Sequence, residues 1–155
     1  MQPLDRDKRL TMRALHHWRD ILGGRAFPRS ADIDPASLGD DWHNCLLIGL
    51  KTPLERSHFV HVGCNLCHPA GTVFTGRPLA DCIEHTVLRE ATSYIARVLD
   101  RRVPIGVGGS IAQGDSAFLY RSILMPLSDD TGAIDAIFGA ASFREVRCSD
   151  EEYPS

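Results

Sequence analysis

Leu10, Ala14, Trp18, Ile21 and Leu22 fall on one stripe of residues 4–22, while Arg6, Arg9, Arg13, His17 and Asp20 tend to the polar side. That spacing predicts an amphipathic helix. Gly23-Gly24 stops it, because glycine accepts the left-handed residue that closes a helix. A helix with one apolar stripe must bury it on the rest of the chain or on a second copy.

Residues 25–41 carry no period and read as a connector. Within them Asp34-Pro35 looks like an N-cap followed by proline at the first helical position, the start of a one-turn helix. Residues 44–50, NCLLIGL, form an apolar run suited to a buried strand, and Thr52-Pro53 breaks it. A second strand follows over 58–63, near enough to pair with the first as a hairpin. From 64 to 81 periodicity is lost among Pro69, Gly71, Gly76 and Pro78, which leaves room for one or two helical turns. Ile83, Val87, Ala91, Tyr94, Ile95, Val98 and Leu99 then predict one long helix over 79–100.

The last third reads as strands over 103–111, 117–127 and 134–143. Gly114-Asp115 makes one turn and residues 128–132 the next. Strand 117–127 sets Tyr120, Ser122 and Leu124 on one face and Arg121, Ile123 and Met125 on the other. The fold class is therefore α+β: a five-stranded antiparallel sheet, helices across one face, and a flanking N-terminal helix. A pocket is expected between the sheet and the crossing helix. The organisation is a helix in 1–24, a connector in 25–43, a folded domain in 44–146 and an acidic tail in 147–155.

Composition adds bounds. A chain of 155 residues suits one domain, and 43% hydrophobic with 24% charged residues argues against disorder. A net charge of −3 gives no pull toward nucleic acid or an anionic membrane. No segment approaches the ~20 apolar residues of a span. The polar start, Met1 to Lys8, lacks an export signal. Five cysteines, an odd count, fit thiols in a reducing compartment, so a cytoplasmic location is expected.

The element order resembles the PAS fold, and local sequence extends the likeness. Gly23-Gly24-Arg25, Pro28-Arg29 and Asp32-Ile33-Asp34-Pro35 follow the first helix. Gly76-Arg77-Pro78-Leu79 precedes the long helix, and Met125-Pro126-Leu127-Ser128-Asp129-Asp130 leads into the last strand. These features are similar to a bacterial single-domain PAS family over roughly residues 10–145. The resemblance implies a sensory or interaction module that binds haem, flavin, a small organic ligand or only another protein. It implies dimerisation through the N-terminal helix, with Leu10, Trp18, Ile21 and Leu22 as the contact, and a signalling protein as partner. It brings no catalytic residue, so no enzyme activity is expected.

The sharpest chemical signal is Cys64-Asn65-Leu66-Cys67-His68, the CxxCH spacing of covalent haem attachment. The same residues, with His58 or His61, are candidates for a metal. Alternation in a strand turns His58 and His61 to opposite faces, which weakens that set. Structurally, the motif is the exit of the second strand into a helical turn. Cys64 and Cys67 also have the spacing of a redox pair, but the βαβ context of such sites is missing. Cys45 and Cys82 read as inert core thiols. The glycines of Gly106-Val107-Gly108-Gly109 fit a strand beside a pocket better than a phosphate loop. Candidates for holding a cofactor are His61, Cys64, Cys67, His68, Tyr94 and Arg121. Arg121 would meet either an acidic ligand or a structural carboxylate. The expected function is a non-catalytic sensory or regulatory module that binds a small ligand or a protein partner and signals through dimer or partner contacts, with the cofactor unknown and none required. The alternatives are a haem or metal redox sensor, or a pure interaction adaptor.

Overall fold

A computed structural model describes residues 3–67, 71–84 and 86–147. The tail from 148 lies outside the described residues, as do His68 and the side chain of Cys82. Helix α1 (Pro3–Asp20) opens the fold. Gly23 and Gly24 follow with φ of 59° and 80°, the left-handed turn that ends it. In the connector, α2 (Pro35–Leu38) is the one-turn helix expected there. Its cap Asp34 accepts from the Ala36 amide at 3.1 Å and the Ser37 hydroxyl at 2.7 Å.

The strands are β1 (Cys45–Gly49), β2 (His58–Val62), β3 (Ile105–Gln113), β4 (Ser116–Ser128) and β5 (Ile134–Arg147). They form one sheet in the order β2-β1-β5-β4-β3, with every neighbouring pair antiparallel. β1 and β2 pair as expected, but with a bulge. Leu47 faces His61 and Ile48 faces Phe59, so Val60 is the extra residue. Phe59 and Val62 therefore both point into the core. This corrects the alternation argument above: His58 and His61 share the other face.

The 79–100 segment also differs from expectation. Instead of one long helix it holds a 3-10 turn (Leu79–Glu84), α3 (Thr86–Thr92) and α4 (Ile95–Arg101). The break follows from local side chains. Thr92 Oγ1 donates to the Leu88 carbonyl at 2.9 Å, and Ser93 Oγ donates to the Glu90 carbonyl at 2.9 Å. Such bonds compete with the helical ladder. Tyr94, with φ −106° and ψ 23°, leaves the helix before α4 restarts.

Both faces of the sheet are covered. Leu46, Ile48, Phe59, Leu124 and Ile137 meet Leu88, Ala91, Tyr94, Ile95 and Val98 of α3 and α4 on one side. Ile123, Met125, Leu127, Phe138 and Ala140 meet Ala14 and Trp18 of α1, with Phe27, Ile33 and Leu38 of the connector, on the other. The face assignment of strand 117–127 read from sequence agrees with this division. Leu10 and Trp18 are buried within the chain, and the Trp18 indole N–H donates to the Pro126 carbonyl at 2.9 Å. Ile21 and Leu22 remain half-buried. Among the described residues no helix is long and apolar enough to cross a membrane.

His17 is buried under α1, where its Nε2 accepts from the Asp34 amide at 3.2 Å. Burial lowers its pKa from the ordinary 6.5, against the opposing pull of Asp34 and Asp20. The unfolded chain thus binds this proton more readily, and stability rises with pH across the interval below 6.5. The stabilisation is complete above that value and is lost as pH falls. His61 shifts in the same direction, again mainly by burial. The urea midpoint is expected to drop between about pH 7.5 and about pH 5.5. His17→Gln, which keeps an acceptor, should flatten part of that slope.

Candidate functional site

Residues 58–67 place most of the chemistry read from the sequence. Gly63 is buried, and its amide donates to the Cys45 carbonyl at 2.8 Å. A 3-10 turn, Cys64–Leu66, follows directly, so the CxxCH motif is indeed the exit of β2. Cys64 is exposed and its Sγ lies 3.5 Å from His43 Nδ1. The Cys67 thiol donates to the Gly63 carbonyl at 3.6 Å, and burial pushes its pKa up. That is opposite to the shift an attacking thiol needs. Among the described residues no three His, Cys, Asp or Glu side chains gather as a metal site. His61 stacks on Trp42 with ring centres 3.9 Å apart and planes 6° off parallel. Its Nε2 sits 3.3 Å from the Trp42 carbonyl. His58 packs over Gly49. Cys45 is buried, and its pKa is pushed up to about 12 by burial and then by Asp41, as suits an inert core thiol.

Tyr94 stands apart from this group. Its hydroxyl is buried and hydrogen-bonds Ser122 Oγ, which donates to the Ala91 carbonyl at 3.2 Å. Burial holds the phenol well above its usual range. The pair bridges α3, α4 and β4 across the space where a pocket was expected. Phe59, Phe74, Leu124, Ile137 and Val98 surround that space, all at most 1% exposed. Phe59 and Phe74 meet edge to face at 6.3 Å between centres.

Two clefts open elsewhere. The larger, about 540 Å³, lies between the connector and the β4–β5 loop. Arg25 pairs with Asp32 at 2.6 Å, Arg29 with Asp130 at 2.7 Å, and the Ser128 amide donates to the Pro28 carbonyl at 2.9 Å. Arg102 lies over the Phe27 ring at 5.1 Å. The segments that carried the family resemblance, 23–35 and 125–130, thus meet at one place. Arg29–Asp130 and the Ser128–Pro28 bond tie the connector to the end of β4 and its loop, while Arg25–Asp32 braces the connector itself. Asp129 Oδ1 closes the loop by accepting from the Thr131 and Ala133 amides. The smaller cleft, about 270 Å³, runs between α1 and β3–β4 and contains Arg121. No carboxylate pairs with Arg121 among the described residues. The fold therefore separates into three places the candidates that the sequence offered together: His61, Cys64 and Cys67 at the end of β2, Tyr94 in the core, and Arg121 on the opposite face.

Trp42, on which His61 stacks, and Ser142, whose buried hydroxyl has no hydrogen-bond partner, escaped notice in the sequence. Nothing in a connector marks a ring that will stack on a strand nineteen residues away, and a serine among small strand residues carries no signal.

The PAS-domain family model matches residues 6–142. The chain belongs to the PAS-domain family. Solved PAS-like structures resemble it at a distance. A light-oxygen-voltage domain from work on a flavin analogue is 15% identical, with 71% of this chain and 82% of that one covered and a TM-score of 0.46. A sensory box sensor histidine kinase from Vibrio cholerae is 10% identical, with 66% and 83% covered and a TM-score of 0.44. A sensory box histidine kinase/response regulator from Burkholderia thailandensis is 10% identical, with 77% and 89% covered and a TM-score of 0.40. None of the curated proteins compared matches the chain. The five-stranded antiparallel sheet and crossing helices are those of a PAS domain, and here α1 adds a cover to the second face.

Proposed function

We propose that this PAS domain is a non-catalytic sensory or regulatory module that acts through contact with another protein chain, without a cofactor in its interior. One observation carries the reading: between α3–α4 and the sheet, Phe59, Phe74, Val98, Leu124 and Ile137 are at most 1% exposed, and Tyr94 and Ser122 bridge the same space. A closely packed interior favours the adaptor over the small-molecule sensor, and the burial that raises the Cys67 pKa, with His61 stacked on Trp42, gives little support to a haem or metal sensor. The working state would be a population shift, in which a partner prefers one setting of α1 on the sheet. A second copy meeting α1 through Ile21 and Leu22, or a signalling protein in the cytoplasm, would supply that preference.

Protein purified from a cytoplasmic expression host is expected to show no visible absorption band. It is also expected to release no flavin, haem or uncharged organic molecule in stoichiometric amount when denatured and analysed by mass spectrometry. Recovery at one per chain of a flavin, a haem or an uncharged organic ligand, retained equally by Arg121→Gln, would overturn the reading.

A further inference from the structure

The fold leaves two polar atoms unsatisfied at the smaller cleft, one on Arg121 in its lining and one on Ser142, the residue beside Arg121 on the neighbouring strand. Arg121 Nε and Ser142 Oγ are both buried, and neither has a hydrogen-bond partner. Arg121 faces Ser142 across the β4–β5 ladder and Gly108 across the β3–β4 ladder. Directly opposed side chains in such a row have Cβ atoms about 5 Å apart, so the two orphan groups are neighbours. A buried N–H on a charged group without a partner is costly, and native structures rarely leave one unexplained.

The surroundings suit an occupant. Gly106 and Gly108 remove side chains from the β3 wall on this face, and besides Arg121 the lining comes from Thr11, Met12, Val107, Ser122 and Ile123. The cleft is about 270 Å³, room for about nine water-sized groups. Arg121 is the one charged side chain among the described lining residues. A guanidinium presents two parallel N–H groups that match a planar carboxylate. One cation, a partly apolar wall and this volume fit a small monoanion better than a multiply charged phosphate.

We propose that the cleft between α1 and the β3–β4 edge binds a small monocarboxylate, with Arg121 holding the carboxylate and Ser142 Oγ giving a second hydrogen bond. The site lies on the sheet face opposite α3 and α4, so it does not depend on the interior being filled. An acid bound there touches Thr11 and Met12, and so couples its occupancy to the seat of α1.

The test uses the whole chain with butyrate, hexanoate and benzoate as probes, butyramide and benzamide as uncharged matches, and inorganic phosphate. The readout is the ¹⁵N–¹H signal of Arg121 Nε, identified by its loss in Arg121→Lys. At least one carboxylate is expected to move this signal saturably while its amide does not. Arg121→Gln should weaken binding about tenfold or more, the effect of losing a charge-assisted hydrogen bond. Ser142→Ala should weaken it less. The proposal fails if no carboxylate moves the signal, if amides move it equally, or if only phosphate does. It fails too if Asp5→Asn or Asp7→Asn shifts the signal without ligand, since a carboxylate of the chain itself would then fill the place.

Discussion

Gly63→Ala is expected to be among the most damaging single changes in this protein, although it adds only a methyl group. A Cβ built at Gly63 would stand 2.2 Å from the His43 carbonyl oxygen, 2.3 Å from its carbon and 2.8 Å from the Trp42 carbonyl oxygen. All three are backbone atoms, so no rotamer change relieves the clash. Gly63 has φ −61°, open to any residue, so the requirement is close approach and not backbone conformation. Where β2 leaves the sheet it crosses the end of the connector at this point. Forcing the two apart also disturbs the Trp42–His61 stack and the Asn65–Asn44 hydrogen bond of 2.8 Å. Overpacking costs ~1–3 kcal/mol where side chains can yield, and backbone against backbone belongs at or above the upper end. A loss of ~3 kcal/mol corresponds to a Tm lower by about 10 °C for a chain of this size. Gly106→Ala is the matched control. Its added carbon meets nothing nearer than 3.6 Å, so it should leave Tm within about 2 °C. If Gly63→Ala melts with the wild type, the close crossing is wrong.

The sheet was legible in the sequence because strand positions repeat every two residues and the β4 pattern is long enough to show it. Leu124 and Met125 point to opposite cores as their alternation required. Three things were not legible, each for a physical reason. The apolar stripe of 79–100 continues through the break at Thr92 and Ser93, because the hydroxyl-to-carbonyl bonds that cause it leave the period of the stripe intact. The bulge at Val60 inserts one residue without changing composition, and it reverses the face of everything before it. The relative placement of the candidate site residues was the least legible. Arg121 and Tyr94 both belong to strongly patterned segments, yet one looks toward α1 and the other toward β4 from the opposite side. Which helix covers which face is a tertiary fact, and α1 could have met a second copy instead of its own sheet. The closure of the connector was foreshadowed by its motifs, since Arg25, Arg29, Asp32 and Asp130 become the ion pairs that hold it.

The interior gives the other large expected effect. Phe59 is fully buried, packs edge to face on Phe74, and is held in β2 by bonds from its amide to the Arg77 carbonyl at 2.9 Å and from the Gly76 amide to its carbonyl at 2.6 Å. The backbone therefore stays in place when the ring is removed, and the neighbours are too constrained to collapse fully into the gap. Truncation of a buried phenylalanine costs ~3–5 kcal/mol under those conditions. Against a total stability of ~5–15 kcal/mol, Phe59→Ala should leave a folded but much weakened protein, read by urea unfolding. The same change tests how the domain works. A dry apolar cavity of ~150 Å³ can take up benzene, so a benzene or indole probe should raise the Tm of Phe59→Ala by several degrees and leave the wild type unmoved. Binding to the native state alone stabilises in proportion to RT ln(1 + [L]/Kd), so the contrast between the two proteins measures the space each offers. A wild type stabilised as strongly as the variant would mean that the native interior already accepts small apolar molecules. The adaptor reading would then yield to a small-molecule sensor, with the α3–α4 side of the sheet as its binding chamber.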